Sequence, residues 1–324
     1  MSKSETIRVG IIGCGALGRV HADRLSRIED VQVAAISDPS SAAVGEVWAM
    51  LPGSNIVLTS DYRDLLSRDL DAICIASPDG YHVRQVIDCL DAGLHVLCEK
   101  PLTMDSEGLE AVIHARDRAR KHVSMTYPKR YDGGLRAMRR EILSGRWGAV
   151  LAVTVYNAED WMTPNVGTWR HDPAICPGGF LYDANGHQLD LVLWSTGLKL
   201  DSVEAEVSCQ GTPVPIHIWG AARLTGGVPM TFHFIGNAHR WREQINIHCE
   251  RMDFVVENNR ASWTRGAQVC AIDEPESTEA CETAFVRLIR GEGPNWAPPE
   301  DLRGLVDLTC AILDSAEWQD VGRL

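Results

Sequence analysis

The sequence lacks the features that mark secreted, zinc-binding and membrane-spanning proteins. Its ten cysteines form no C-x-x-C pair, and several lie in apolar runs such as Ala72-Ile73-Cys74-Ile75. We therefore expect buried thiols in a reducing compartment rather than disulfides or metal ligands. No apolar stretch is long enough to span a membrane, and the polar residues 1–5 lead into a strand pattern without a signal-peptide core. These absences predict a cytoplasmic protein with no metal site.

Positive charge is also scarce. The 31 lysine and arginine residues are outnumbered by 44 aspartate and glutamate residues, which gives a formal net charge of -13. A protein of that sign repels phosphate backbones and anionic lipid surfaces, so nucleic acids and membranes are not expected partners. The 28 glycines and 15 prolines are too few for a collagenous or low-complexity chain. A length of 324 residues suggests about two domains.

The first 127 residues alternate short β-branched runs with longer helical patterns. This alternation predicts a doubly wound parallel sheet with crossover helices, in a domain covering residues 1–127. The predicted strands are residues 8–12, 31–36, 72–76, 94–98 and 123–127.

The pattern changes to successive strands after about residue 149. Turn signals at residues 225–227 and 258–259 indicate antiparallel meander pairing. We expect an α+β domain over residues 128–324 with a large, mostly antiparallel open sheet. Its closing helices, residues 278–290 and 299–316, are free to pack back on the first domain. The predicted strands are residues 150–156, 203–208, 216–224, 230–235, 244–249 and 253–257.

A glycine motif, Gly13-Cys14-Gly15-Ala16-Leu17-Gly18, directly follows the first predicted strand and opens a helix. This context is the one that a dinucleotide fingerprint requires. Gly13 permits a tight turn, Gly15 lets the backbone approach a pyrophosphate, and Gly18 allows close helix packing. The helix N-terminus at Ala16 and Leu17 offers free amides to the negative charge. The apolar face of this helix is predicted to comprise Leu17, Val20, Leu25 and Ile28.

Asp38 ends the second strand, twenty residues after Gly18. At this position a carboxylate accepts hydrogen bonds from both adenosine ribose hydroxyls. No arginine occurs in Pro39-Ser40-Ser41 to neutralise a 2'-phosphate, so NAD is favoured over NADP. The alternative, in which Asp38 only caps the turn before Pro39, remains open.

Two further runs carry a resemblance to a known family. They are Ser77-Pro78-Asp79-Gly80-Tyr81-His82 and the segment ending in Cys98-Glu99-Lys100-Pro101. With the glycine motif they resemble the glucose-fructose oxidoreductase and inositol dehydrogenase family, Gfo/Idh/MocA. The resemblance implies that Lys100 is catalytic and that the bond before Pro101 is cis. It also implies cofactor contacts from Ser77, Pro78, His82, Glu99 and Lys100.

A third constellation lies in the second domain. Asp183, His187 and Asp190 are spaced at offsets 0, 4 and 7, which places them on one helix face. Taken alone, such a face is equally a solvated polar stripe. The spacing is similar to the family's Asp-x-x-x-His signature, which implies that Asp183 and His187 act beside Lys100. Phe180 and Asn185 depart from the family's pattern of small residues, which predicts an unusual substrate shape.

The resemblance also implies the overall organisation and the substrate class. The fold would be a Rossmann domain followed by a domain whose open sheet packs helices on one face and a partner subunit on the other, giving a homodimer or homotetramer. The alternation over residues 216–221 fits a sheet with both faces covered. The substrate would be a sugar, a cyclitol or a sugar derivative, with Trp161, Trp169 and Arg170 expected to stack on its ring and bind its hydroxyls.

Three activities are compatible with these residues. The first is NAD-dependent oxidation of a secondary alcohol, with Lys100 stabilising the developing alkoxide and Asp183 orienting the pair. His187 suits the general base because its ordinary pKa lies near 6.5, although Lys100 is an equally tenable base if its surroundings lower its pKa. The second is a redox-cycling lyase, glycosidase or epimerase, and the third is a noncatalytic NAD-binding regulator. Retention of Lys100, Asp183 and His187 argues against the regulator.

Overall fold

The computed structural model describes residues 6–51, 55–270 and 277–319. The chain divides into two compact units. One comprises Met1–Thr103, Glu107–Tyr127 and Ala280–Glu300, and the other Met104–Ser106, Pro128–Glu279 and Asp301–Leu324. The strands are β1 (Ile7–Ile12), β2 (Val31–Ser37), β3 (Val57–Thr59), β4 (Ala72–Ile75), β5 (His95–Cys98), β6 (Val123–Met125), β7 (Val150–Asp160), β8 (Leu200–Ser208), β9 (His217–Leu224), β10 (Val228–Ile235), β11 (Asn237–Cys249), β12 (Asp253–Glu257), β13 (Arg260–Arg265), β14 (Gln268–Cys270) and β15 (Glu317–Gln319). The helices are α1 (Ala16–Ser26), α2 (Ser41–Met50), α3 (His82–Asp91), α4 (Ser106–Ala119), α5 (Pro128–Tyr131), α6 (Gly133–Leu143), α7 (Met162–Asn165), α8 (Gly186–Thr196), α9 (Cys281–Ile289) and α10 (Arg303–Ser315).

The first unit contains a six-stranded sheet in the order β3-β2-β1-β4-β5-β6, and every neighbouring pair is parallel. This confirms the predicted doubly wound sheet. All four residues of β4 are buried, as expected for a central strand of a sheet with both faces covered. The sequence reading missed β3, whose three residues are too few to show an alternating pattern.

The predicted apolar face of α1 is wrong at Leu17 and Val20, although Leu25 is buried as predicted. Leu17 and Val20 are 41% and 39% exposed, respectively. The buried positions lie at the helical spacing 0, 3, 4 and 7 that begins at Gly18, because the glycine brings the helix against the sheet. This face therefore includes a histidine that a hydrophobic pattern does not pick out. The buried residues are Gly18, His21, Ala22 and Leu25.

The second unit contains a nine-stranded sheet in the order β14-β13-β12-β11-β7-β10-β9-β8-β15. Most pairs are antiparallel, as predicted, but β7 with β10 and β8 with β15 are parallel. The predicted meander therefore describes the antiparallel pairs but not these two parallel ones. The chain leaves β7 through the helix α8 and returns through the β8, β9 and β10 meander, so β10 lies beside β7 in the same direction.

The two predicted turns of this sheet have the required backbone. Gly226 and Gly227 have φ values of 80° and 78°, and Asn258 and Asn259 have values of 48° and 65°. Asn258-Asn259 form a two-residue hairpin turn, in which positive φ at both residues matches the twist of the flanking strands. The β9–β10 turn has three residues, 225–227, and its two glycines adopt positive φ without a steric cost. Both turn predictions are confirmed.

The two faces of the nine-stranded sheet differ within a single chain. Ile216 and Ile218 are fully buried, whereas His217 and Trp219 are half-buried and Ala221 is exposed. Helices α8 and α10 pack against the sheet. On the opposite face, the ring of His233 lies 6.2 Å from Tyr156 and 6.3 Å from Trp219. Coverage of this second face by a partner subunit stays a prediction.

The structure also describes the cysteine side chains, the helix lengths and the grouping of possible metal ligands. Seven of the nine cysteines whose side chains are described are buried, and all nine are free thiols. Within the described residues, none of the helices combines the length and hydropathy that crossing a bilayer requires. The same residues contain no group of three or more histidine, cysteine, aspartate or glutamate side chains arranged to hold a metal ion.

Candidate active site

The glycine turn after β1 has the geometry of a close backbone approach. Gly13 has a φ of 92°, and a Cβ atom there would lie 2.5 to 2.6 Å from backbone atoms of Ala76 and Ser77. A Cβ atom on Gly18 would lie 1.9 Å from the carbonyl oxygen of Gly13. Gly15, in contrast, faces open space. Two glycines therefore close the turn, and the third leaves room above it for a ligand.

The N-terminus of α1 opens beside this turn. Gly15, Ala16 and Leu17 are exposed, and no side chain in the described part of the chain caps the helix at Gly15. The first turn of the helix also contains no acidic residue. Uncapped amides at the positive end of a helix favour a bound anion, so these residues fit a pyrophosphate.

Asp38 is half-buried one residue beyond β2. Its Oδ2 atom accepts the backbone N–H of Cys14 at 2.8 Å, and its Oδ1 atom accepts that of Ser40 at 2.8 Å. The carboxylate thus ties the glycine turn to the end of β2 and also caps the turn before α2. A carboxylate has about four acceptor sites, so these two bonds leave capacity for ribose hydroxyls.

Lys100 follows β5 at the carboxyl end of the parallel sheet, where ligands of such sheets collect. Its residue is 9% exposed, and the Lys100–Pro101 peptide bond is cis, as the resemblance implies. The backbone N–H of Lys100 lies 3.2 Å from Oε2 of Glu99. Glu99 therefore holds the backbone of the residue that follows it, and a direct cofactor contact from Glu99 stays a prediction.

His82 connects the two loops that carry the family motifs. Its Nδ1 atom lies 2.7 Å from the carbonyl oxygen of Pro101, and its Nε2 atom lies 2.8 Å from that of Ser77. The ring is fully buried. Ser77 donates from its hydroxyl to Gln85 at 2.5 Å, and Pro78 is half-buried beside it. The geometry makes His82 a positioning residue for the lysine segment, and cofactor contacts from these three residues remain predictions.

In the second unit, Asp183 is clamped by two donors. Its Oδ2 atom accepts from Trp161 Nε1 at 2.7 Å and from Arg170 Nε at 2.7 Å. The three residues come from the loop after β7 and from the segment before α8. Trp161 is buried, so its indole serves this bond rather than an open stacking surface. The expected direct contact between Trp161 and a substrate ring is not shown.

The helix that carries Asp183 begins with a π-helical turn, Leu181–Asn185. The buried amide of Asn185 donates to the carbonyl oxygen of Phe180 at 2.8 Å and accepts from Asn157 at 3.0 Å. Phe180 is fully buried, and its ring lies 5.8 Å from that of Trp161. Both departures from the family pattern therefore support the backbone and the clamp around Asp183. Single π turns often occur at functional sites.

Trp169 borders an open depression of about 550 Å³. The guanidinium carbon of Arg170 lies 4.2 Å from the ring centroid of Trp169, which holds the arginine by a cation–π contact. Burial lowers the pKa of His171, another wall residue. The depression is lined by Gly167, Thr168, Trp169, His171, Asp172, Pro173 and Pro213.

His187 and Asp190 have different surroundings on α8. His187 lies in the first turn and is half-buried. Asp190 is fully buried and accepts from Arg130 at 2.9 and 2.6 Å, in a two-pronged ion pair. Arg130 also lies 3.2 Å from Asp301. The polar stripe expected from the 0, 4, 7 spacing is therefore divided, because its third member belongs to the core.

Two family models match the chain. The model described as "Oxidoreductase family, NAD-binding Rossmann fold" matches residues 7–127, and the "GFO/IDH/MocA C-terminal domain" model matches residues 135–255. The chain belongs to the Gfo/Idh/MocA family.

Several known proteins are similar to this Gfo/Idh/MocA chain over different lengths. An inositol 2-dehydrogenase from Rhodococcus erythropolis is 34% identical over 211 residues, which cover 63% of this chain and 57% of that protein. One from Corynebacterium glutamicum is 29% identical over 206 residues, or 63% and 58% of the two chains. The matched region thus spans less than three fifths of these relatives. An aldose-aldose oxidoreductase structure from Caulobacter crescentus has a TM-score of 0.83 at 17% identity, with 96% and 97% of the two chains covered.

Sequence reasoning missed two residues of this Gfo/Idh/MocA chain that are linked to the motif segment in the first unit, one directly through Glu99 and the other through the first. They are His21 in α1 and Glu282 in α9, which lie 261 positions apart and meet at 2.5 Å. The signal that could have identified His21 is its position, as a polar residue, on the face of α1 that packs in the interior. Nothing local in the sequence marks Glu282 as its partner.

Proposed function

We propose that the chain is an NAD-dependent dehydrogenase that oxidises a secondary hydroxyl of a sugar, a cyclitol or a sugar derivative. The observation that carries the proposal is the buried Glu99-Lys100-Pro101 segment at the carboxyl end of a parallel sheet whose glycine turn fits a dinucleotide. Family membership and the names of the relatives, inositol 2-dehydrogenases among them, support the substrate class.

The residues present fit the cofactor. The uncapped turn around Gly15 would hold the pyrophosphate, and Asp38 would bind the adenosine ribose. The absence of arginine in residues 39–41 supports NAD over NADP. When bound, NAD supplies the acceptor for the hydride that leaves the substrate carbon.

Lys100 and His187 divide the remaining chemistry between them. Oxidation of an alcohol requires a cation that stabilises the developing alkoxide and a base that takes the hydroxyl proton. Lys100 is the cation and His187 the base in this proposal. Asp183 is held by Trp161 and Arg170 and lies one helical turn before His187, which supports a role in orienting the base.

Substrate recognition is proposed at Trp169, which borders the open depression, and at Arg170, which stacks on it. The guanidinium group of Arg170 presents several N–H donors to hydroxyl oxygens, and Trp169 offers an aromatic face to a sugar ring. The half-buried aromatic face of the nine-stranded sheet supports a homodimer or homotetramer. The free thiols support a cytoplasmic location.

The test is a panel of inositols and sugars with NAD and NADP, followed by absorbance of the reduced nicotinamide. We expect stoichiometric NADH, with kcat/KM for NAD at least about tenfold above that for NADP, because Asp38 opposes a 2'-phosphate. Lys100→Ala and His187→Ala are expected to lower kcat by about 10²- to 10⁴-fold while NADH affinity is retained.

Other outcomes contradict specific parts of the proposal. Substrate turnover without accumulation of NADH supports a redox-cycling lyase, glycosidase or epimerase. A strong preference for NADP overturns the assignment of Asp38. Full activity of Lys100→Ala on every substrate overturns its catalytic role. A loss of the acidic limb of the pH–rate profile in His187→Ala, with Lys100 intact, identifies His187 as the base.

A further inference from the structure

Three ionisable side chains form a buried cluster in the first unit. His21 of α1 places its Nε2 atom 2.9 Å from Oε1 of Glu99 and its Nδ1 atom 2.5 Å from Oε1 of Glu282. The side chains of His21, Glu99 and Glu282 are 4%, 10% and 0% exposed, respectively. The proposed function uses neither His21 nor Glu282, so the cluster requires a separate explanation.

The distances and the directions of the pKa shifts together favour a doubly protonated His21 between two ionised carboxylates. An ionised carboxylate only accepts hydrogen bonds, and a neutral imidazole has a single N–H donor. A histidine between two carboxylates therefore carries a proton on each nitrogen. Burial alone would lower the pKa of His21, but the hydrogen bonds to Glu282 and Glu99 raise that pKa to about 9. Burial likewise opposes ionisation of the two carboxyls, yet the bonds to His21 lower both of their pKa values.

The other ionisable groups around the cluster do not take over the role of the protonated His21 ring between the two carboxylates. Arg24, on the same helix as His21, is half exposed and lies 3.5 Å from Oε1 of Glu282. The Lys100 ammonium lowers the pKa of Glu99 from the strand side. The thiols that face the cluster, Cys74, Cys98 and Cys281, have pKa values raised by burial and stay protonated. Among these groups, His21 is the one whose pKa is raised to about 9.

The cluster is connected to the lysine segment through Glu99. One oxygen of Glu99 accepts from His21, and the other lies 3.2 Å from the backbone N–H of Lys100. His21 lies within two turns of the start of α1, the helix that opens at the glycine turn. A continuous chain of hydrogen bonds therefore runs from Glu282 through His21 and Glu99 to the Lys100 backbone.

We propose that His21 and Glu282 are positioning residues that keep the Glu99 carboxylate on the Lys100 backbone, so that protonated His21 maintains the active geometry of the lysine segment. This inference rests on the proposed function for its kinetic part. Its structural part concerns the protein alone and can be tested without substrate. Neither residue is expected to touch cofactor or substrate.

The first test uses Glu282→Gln and His21→Gln in the whole protein, with Glu46→Gln as the control. Glu46 pairs with Arg19 of the same helix α1 at the surface, so its variant also removes one acid near α1 but leaves His21 untouched. NMR titration of the histidine rings, with His21 assigned by His21→Gln, is expected to give a value near 9 in the wild type and in Glu46→Gln. Glu282→Gln is expected to lower it by at least about one unit, because a charged acceptor becomes neutral.

Amide hydrogen exchange of residues 99–103 provides the second readout. Both cluster variants are expected to exchange about tenfold faster there than the wild type, because His21→Gln removes the ring that holds Glu99, and Glu282→Gln removes a charge that keeps this ring protonated. A His21 ring that titrates below pH 7 in the wild type, or unchanged exchange in both variants, would overturn the inference whether or not a substrate has been found. If substitution of His21 prevents folding, Glu282→Gln alone decides, since its amide oxygen still accepts from His21.

Kinetics then separate a positioning role from a purely structural one. With a substrate in hand, Glu282→Gln is expected to lower kcat about tenfold with less than a twofold change in substrate KM. Its alkaline limb is expected to move to lower pH, in parallel with the NMR titration. Wild-type kcat and an unshifted limb contradict the proposal, as does a raised KM with kcat unchanged. Failure to find any NADH-producing substrate counts against the proposed function and leaves the NMR and exchange results in force.

Discussion

Two arginine–aspartate pairs in the second unit have the same chemistry but different surroundings. Arg130 and Asp190 are 1% and 2% exposed, and both oxygens of the aspartate accept from the guanidinium. Arg170 and Asp183 are 26% and 9% exposed, and the arginine shares a single aspartate oxygen with Trp161. The aspartates are only seven positions apart. Burial and donor geometry, rather than residue type, separate a core ion pair from one at a candidate active site.

The largest expected effect is on stability, at the core pair. Asp190→Ala removes the buried, two-pronged partner of Arg130 and leaves the partly exposed Asp301 beside the guanidinium, so the free energy of unfolding is expected to fall by about 3 kcal/mol. Urea denaturation measures the difference. The exposed Asp201→Ala is the matched control and should stay within about 0.5 kcal/mol of the wild type. A loss below about 1 kcal/mol for Asp190→Ala would remove the distinction between the two pairs.

The second expected effect is on activity, at the partly exposed pair of Arg170 and Asp183. Asp183→Asn keeps the shape of the side chain but removes its charge, so kcat is expected to fall about 100-fold, the scale for loss of one preorganised group. Stability should change by about 1 kcal/mol or less, because water reaches Arg170. Steady-state kinetics and urea denaturation are measured on one preparation. Asp183→Asn as unstable as Asp190→Ala would place both pairs in the core.

A smaller effect is expected from the indole donor of the clamp. Trp161→Phe retains most of the buried ring but removes the Nε1–H bond to Asp183. The free energy of unfolding should fall by about 0.5–1.5 kcal/mol, the usual net value of such a bond. We expect kcat/KM to fall about tenfold as well. Unchanged kinetics would show that Arg170 alone positions Asp183.

The smallest change in stability is expected for Arg170→Lys. Lysine keeps the positive charge but loses the planar group that stacks on Trp169. The pair is partly exposed, so the loss of stability should be about 0.5 kcal/mol or less. Substrate KM should nevertheless rise severalfold in titrations with substrate. A drop in stability without any change in KM would assign the stacked pair a packing role.

The sequence patterns correctly predicted the features that depend only on residues close together in the chain. The alternation of strands and helices indicated the parallel sheet, and Gly226-Gly227 and Asn258-Asn259 indicated two turns because their required backbone is a property of the residues themselves. The site is less accessible to such reasoning. The spacing of Asp183, His187 and Asp190 could not show which of the two aspartates pairs with Arg130 in the core, because Arg130 lies 60 positions before Asp190.

The misread face of α1 has the same origin. An apolar count favoured Leu17 and Val20, but close packing at Gly18 turned a different face toward the sheet. His21 on that face is stabilised by Glu282 from the other end of the chain. The parallel pairing of β7 with β10 also depends on a long connection through α8, which no short window contains. These features depend on contacts between residues far apart in the chain, and a single sequence does not show which distant residues will meet.

The position of α9 affects how the protein can be synthesised and divided. This helix packs on α1 and β5, although it lies more than 150 positions after the last strand of the parallel sheet. On the ribosome, most of the parallel-sheet unit emerges first, and its interior is expected to close only after residues 280–300 have been made. A recombinant fragment that stops at residue 127 would leave the imidazole of α1 facing solvent. Joining the later helix to it through a flexible linker would restore the missing wall.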